Sequence, residues 1–194
     1  MREHGVLRRA LLVYSEAATW LLAGGRALPL PELGCVATLF RRFGEDYHER
    51  SLEEQHVFPP LLKQGGSNAV LARTLTAQHR RGREITDYVS ALVRRGSVAP
   101  AERATVATTL QLFVRMYAHH AAIEDTVIFP AWKQAISPQQ YSELTEEFEE
   151  LEHKTFGERG FEDAVKSVAA AEQAFGLGDL ASLTAPPPPP ATLT

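Results

Sequence analysis

The chain has 194 residues, 44% of them apolar, enough to close one substantial core within about one to one and a half domains' worth of sequence. Its formal charge is −4, from 24 acidic and 20 basic side chains, which gives no electrostatic reason to expect a nucleic-acid partner or an anionic membrane surface. No apolar run reaches the roughly 18 to 20 residues of a bilayer span, and the opening MREHGVLRRALLVYSEAATW is broken by Arg, Ser and Glu, so neither signal peptide nor anchor is expected and the cytoplasm is the default location.

Glycine and proline punctuate the chain at Gly24-Gly25 to Pro31, Gly65-Gly66, Gly96 to Pro100, Ser137-Pro138, Gly157 to Gly160 and Pro186 to Pro190. A first helix is predicted over about residues 3–23, where Val6, Ala10, Leu11, Tyr14, Ala17, Ala18 and Leu21 recur at three- and four-residue spacing. A second covers about residues 32–64, bent or ended near Pro59-Pro60, and the single cysteine, Cys35, reads there as a small buried apolar residue. The third covers residues 67–95 with Ser67 as its cap, and the fourth residues 101–136. Ser137-Pro138 starts a fifth, and a shorter helix follows over about residues 161–175. No segment alternates with period two. The fold class is therefore all-α: four long helices with short connections form an antiparallel up-down-up-down bundle, with two extra C-terminal helices covering one side or end. Three regions are expected: the bundle with the start of the fifth helix over residues 1–156, a helical extension over 157–178, and a proline-rich mobile tail over 179–194, unpacked at its proline run.

The chemistry lies in a repeat. YHERSLEEQHVFP, beginning at Tyr47, aligns without a gap with AHHAAIEDTVIFP, beginning at Ala118 and 71 positions later. His48 falls on His119, Glu53 on Glu124, Phe58 on Phe129 and Pro59 on Pro130. A fainter echo relates His4 in the first helix to His79 in the third, so the chain reads as a duplicated helical hairpin. Two hairpins in a bundle bring one His from each of the first and third helices, and a His plus a carboxylate from each of the second and fourth, toward one point. Neutral imidazoles mixed with carboxylates that can bridge suggest a non-haem dinuclear iron or manganese site, iron foremost. No inward Glu-x-x-His is expected. His120 and Glu124, four apart, share a face of an ideal helix, but His48 and Glu53, five apart, do not. A π-bulge near Arg50-Ser51 would restore a common face. On the fourth helix, His120 is preferred because it needs no bulge, with His119 as the rival.

These residues resemble the hemerythrin-like family, also called the HHE cation-binding domain, whose pattern is a His on the first helix, His-x-x-x-Glu on the second, His on the third and His-x-x-x-Glu on the fourth. The match runs over roughly residues 1–156: His4 in REHGVLRRAL, His48 and Glu53 in YHERSLEE, His79 in AQHRRGRE, and His120 and Glu124 in HHAAIEDTVIFP. The segment EHKTFGERGF resembles the stretch that follows the bundle in many bacterial members. The departure is the His48 to Glu53 spacing, which leaves Glu49 and Glu54 as further candidates for the second-helix carboxylate. The resemblance implies two iron ions with a solvent-derived bridge, manganese or zinc being other possible occupants, and a small ligand such as dioxygen, nitric oxide or peroxide.

Other candidates read as structural: His56, His153, the acidic run over residues 146–152 as a solvated face, and Tyr14, Tyr47 and Tyr117 as core. Three functions follow: a diiron protein that binds or senses a small molecule, a diiron oxidoreductase acting on peroxide or iron, and a metal-free helical scaffold. The scaffold would leave the inward His and Glu as uncompensated buried polar groups, which argues against it. No acid or base beyond the ligand set is evident, so binding or sensing leads; no segment is left for a fused regulatory domain, and the chain is expected as a monomer or homodimer.

Overall fold

The computed structural model describes residues 2–189, and among them there are helices and turns but no strand. Helix α1 runs Arg2–Ala23, as its apolar stripe requires, and buries Val6, Ala10, Tyr14 and Ala17. α2, Leu30–Leu39, begins two residues before the expected start, because Pro31 falls in the first turn, where proline has no intrahelical partner to lose. The rod continues as a π-wound segment, Phe40–Val57, and ends in α3, Phe58–Gln64. The proposed bulge near Arg50-Ser51 lies within this segment, but the widened winding extends over 18 residues rather than one turn.

Gly65 and Gly66, at φ 79° and 68°, reverse the chain in a conformation that only glycine adopts cheaply. α4 then runs Gly66–Arg95, and Ser67 does not cap it: the N-cap is Gly65, with no side-chain cap bond. A short turn at Pro100–Glu102 leads into α5, Arg103–Ile123. A second π-wound stretch, Glu124–Ile128, follows, and α6, Phe129–Ala135, completes this rod. Ser137 does cap α7, Pro138–Phe156: its hydroxyl accepts from Gln140 N–H at 3.2 Å while Gln140 Oε1 accepts from Ser137 N–H at 2.9 Å. α8 is Gly160–Ala174.

The rods pack as antiparallel neighbours. His4 and Arg8 at the start of α1 meet Asp125 near the end of the fourth rod, while Gly24 beyond the end of α1 lies beside Arg103 at the start of α5. Along the second and third rods, Arg41 reaches Asp87 whereas Glu54 reaches His79. Two apolar clusters fill the interior, one around Tyr14, Phe40 and Phe113, the other around Phe58, Leu61, Leu75 and Trp132. α8 closes on α1 and α2 through the Trp20–Phe175 ring contact at 5.2 Å and the Arg9–Glu172 ion pair, and α7 lays Tyr141 and Phe148 on Trp132. Cys35 is exposed rather than buried, because Leu33, Val36 and Ala37 take the core face of α2 and leave position 35 outside. The proline-rich tail expected from residue 179 begins instead with a single helical turn, Leu180–Leu183, capped by Asp179; residues 185–189 are exposed and carry no regular structure, whereas residues 190–194 lie outside the described residues. No described helix is long and apolar enough to cross a membrane.

Candidate metal centre

Between the two apolar clusters, six side chains meet that helical burial alone would never favour. His4, His48, Glu53, His79, His120 and Glu124 are each 3% exposed or less. His4 Nε2 lies 2.9 Å from His48 Nε2, and His79 Nε2 lies 3.1 Å from His120 Nε2. The carboxylates sit between the pairs. Glu53 reaches His48 at 3.2 Å with one oxygen and His79 at 3.4 Å with the other, while Glu124 reaches His120 at 2.9 Å and His4 at 3.5 Å. His119, the rival of His120, is exposed.

Local winding explains the different spacings. In the second rod the backbone N–H of Phe58 bonds to the Glu53 carbonyl, and Ser51 Oγ donates to the Asp46 carbonyl, both across five residues. Residues five apart therefore lie nearly above one another, and His48 and Glu53 face inward together. In the fourth rod His120 precedes the π winding and pairs with Glu124 across four residues of regular helix. There too the winding closes on the carboxylate, the N–H of Phe129 bonding to the Glu124 carbonyl. Pro59 and Pro130, one residue on in each copy, cannot donate and crowd the preceding turn, a local cause for the widened backbone.

The donor set fits metal ions on three counts. Three of the histidines are oriented from behind: His4 Nδ1–H donates to Asp125, His79 Nδ1–H to Glu54 and His120 Nδ1–H to Gln78, each at 2.9 Å. This leaves each Nε2 lone pair turned to the centre, the arrangement found behind metal-bound imidazoles. Secondly, both oxygens of Glu53 and Oε1 of Glu124 are buried with close charged neighbours but no aligned hydrogen bond, an arrangement costly unless a cation completes it. Thirdly, ligand atoms at right angles on an ion with bonds of about 2.1 Å lie about 3.0 Å apart, close to both Nε2 separations.

Without a cation the cluster shares protons instead. Burial, with His48 beside it, pushes His4 down to about 4. Burial disfavours charge on His48 too, but Glu53 outweighs it and raises that group to about 9. His79 is likewise carried against burial to about 10 by Glu49, Glu53 and Glu54. Burial and the neighbouring Glu53 carboxylate push Glu124 up to about 7, while His48 and His79 hold Glu53 below the usual carboxylate range. Of two carboxylates this close, one holds its proton well above the usual carboxylate range.

Glu49 and Glu54 do other work. Glu49 accepts from Tyr117 Oη at 2.6 Å, and Arg83 bridges Glu49 and Glu54 at 3.3 and 2.6 Å. Glu45 and His48 form a Glu-x-x-His in which both residues are buried, contrary to the sequence reading, although the widened winding turns residues three apart further from each other than an ideal helix would. Glu45 nevertheless stays outside the cluster, beside Arg41 at 2.7 Å, with its carboxyl pushed up by burial to about 7. His56 packs its ring against Phe148, His153 is exposed, and Tyr14 and Tyr47 are core. A cavity of about 20 Å³ lies at the centre itself, lined by His4, His48, Glu53, His120 and Glu124 together with Leu7, Leu11, Phe40, Tyr117 and Ala121.

The family model for the hemerythrin HHE cation-binding domain matches this chain twice, over residues 1–132 and 70–176. The chain belongs to the hemerythrin HHE family. The overlapping matches are those expected if each hairpin can stand for either half of a hemerythrin bundle. An uncharacterized protein of Mycobacterium bovis and its counterparts in two strains of Mycobacterium tuberculosis are each 43% identical over 186 residues, covering 95% of this chain and 71% of the relative. No solved structure matches the chain. Membership of the hemerythrin family and the two buried His/Glu groups together support cation binding at this place.

Proposed function

We propose that this chain holds two iron ions at the centre and takes up or senses dioxygen or a related small molecule such as nitric oxide or peroxide. The observation that carries the reading is the sharing of carboxylates: Glu53 and Glu124 belong both to the group with His4 and His48 and to the group with His79 and His120. Two imidazoles for each ion and two carboxylates common to both favour iron or manganese over an all-imidazole zinc site. Iron held there would supply a redox-active Lewis acid. The chain's own residues do the selecting. Leu7, Leu11, Phe40 and Ala121 bring hydrocarbon up to the candidate ligands, and the free space at the centre is only about 20 Å³, which restricts any ligand there to a small molecule. Asp125, Glu54 and Gln78 fix three imidazoles in the tautomer that leaves Nε2 unprotonated.

Elemental analysis of purified protein should find about two iron ions per chain, with lower content in His79→Ala and in Glu124→Ala. Reduced, iron-loaded protein exposed to air should develop near-ultraviolet charge-transfer bands that azide or nitric oxide alters. Full iron content in both variants, or a loaded sample that responds to none of these ligands, refutes the proposal. Sustained peroxide turnover that disappears in His120→Ala would place an oxidoreductase ahead of a binding or sensing protein.

A further inference from the structure

Away from the metal centre, a cleft of about 670 Å³ opens between α2, the start of the π-wound segment, the end of α4 and the α7–α8 junction. That volume lies within the roughly 300–1,000 Å³ of small-molecule sites. Its floor is hydrocarbon: Leu39 and Phe43 are buried, and Val93, Phe156 and Ala164 line it beside them. Cys35, the only cysteine of the chain, is exposed on its wall.

Arginines flank this cleft in two adjacent pairs, one member of each pair lining it. Arg41 is engaged by Glu45 and Asp87, and Arg95 by both oxygens of Glu102. Their immediate neighbours Arg42 and Arg94 line the cleft, are exposed, and have no carboxylate partner among the described residues. Arg42 lies over the Phe156 ring at 5.9 Å, within reach of the apolar floor. The acidic residue of the cleft, Asp163, has its own cation in Lys166 at 3.7 Å, so the arginines leave net positive charge here.

We propose that this cleft binds an amphipathic anion, an alkyl chain ending in a carboxylate, with the chain on Leu39, Phe43, Val93 and Phe156 and the head between Arg42 and Arg94. A simple anion would use the arginines and leave the floor wet, and a neutral hydrocarbon would leave the guanidinium groups without a partner. A molecule carrying both parts satisfies both, and guanidinium groups recognise carboxylates through paired, charge-assisted hydrogen bonds. The site is independent of the metal centre.

Because Cys35 is unique, its alkylation by a neutral maleimide reports occupancy of the cleft in the full-length, metal-loaded protein. Dodecanoate below its micelle concentration should slow the reaction at least tenfold at saturation, with one molecule bound per chain by calorimetry. Acetate and dodecanol at the same concentration should protect far less. Arg42→Gln and Arg94→Gln should each raise the dodecanoate concentration for half-protection by about tenfold. Removing two carbons from the chain should do so by a similar factor, roughly fourfold per buried methylene. Circular dichroism and the unprotected alkylation rate should stay as in the wild type. Absence of protection by dodecanoate, calorimetric binding that leaves Cys35 reactive, equal protection by dodecanol, or indifference to both arginine substitutions would each overturn the proposal.

Discussion

Substituting Gly82→Ala should destabilise this protein, against the usual sign for a glycine inside a helix. Alanine in a helix interior is ordinarily better by about 1 kcal/mol. Here a Cβ would overlap Tyr117 Oη and lie 2.7 Å from Cζ and 2.9 Å from Cε2 of the same ring. The ring is buried, and its hydroxyl is anchored on Glu49 at 2.6 Å. Overpacking of this kind costs about 1–3 kcal/mol. Dragging the hydroxyl off a buried carboxylate adds about 1.5–3 kcal/mol. The net expectation is a loss of about 3 kcal/mol, read by urea unfolding of the protein as purified with far-ultraviolet circular dichroism. In a Tyr117→Phe background the penalty should shrink by about 1 kcal/mol or more, since one of the obstructing atoms is gone and no hydroxyl bond remains to break. Gly5→Ala is the control, because Gly5 has nothing within 4 Å of its added carbon, and it should be neutral or stabilising by up to about 1 kcal/mol. A Gly82→Ala variant as stable as the wild type would refute the packing argument for Gly82 and Tyr117.

Three further outcomes are expected. His120→Ala should lose metal while His119→Ala keeps it, since only His120 turns its ring to Glu124; equal loss in both, by elemental analysis, would reinstate the bulged register. In chelator-treated protein His48 and His79, raised to about 9 and 10 from 6.5, bind protons more tightly folded than unfolded. Their stabilising contribution is present below about pH 6.5 and lost as pH rises through 9 to 10. Loading a cation requires those protons to leave, so the rise in Tm on loading should be larger at pH 10 than at pH 6.5; a pH-independent difference would contradict it. Glu45→Gln should have little effect near pH 5 but stabilise by about 2 kcal/mol near pH 8, because the buried carboxyl, raised to about 7, loses stability as it ionises. Thermal melts at the two pH values check the sign.

Helix positions and the six convergent residues could be read from sequence because punctuation and periodicity are local properties. The five-residue spacing of His48 and Glu53 was enough to demand a π turn, but nothing local revealed that the winding would begin at Phe40. Nor did spacing announce the second widened stretch at Glu124, since His120 needed none to face inward. The recurring Phe-Pro after each carboxylate was the available signal, because proline disturbs the turn that precedes it. Asp125 and Gln78 behind the imidazoles carry no signal in the sequence, and Glu54 reads there only as a candidate ligand, for a different reason: each serves a histidine on another rod, and such pairings depend on how the rods are set side by side. Glu45, three residues before His48, is within reach of the same face even on an ideal helix, and its burial beside Arg41 is a tertiary outcome that residue type argues against. Cys35 shows the limit of composition, since the usual burial of cysteine does not determine which side of α2 it takes.

His4 differs from the other three histidines in its place along its helix. It stands in the first turn of α1, whereas His48, His79 and His120 are held on both sides by long stretches of rod. The ends of helices open far more often than their middles, at a free-energy cost near zero in the last turn. Loosening that turn would withdraw one imidazole and leave His48, Glu53 and Glu124 in place, opposed mainly by the grip of Asp125 on the His4 ring and on Arg8. The two ends of the centre would then exchange their contents at unequal rates. An isotope-labelled cation would turn over first beside His4, and strengthening or severing the Asp125 grip would set the interval between the two exchanges.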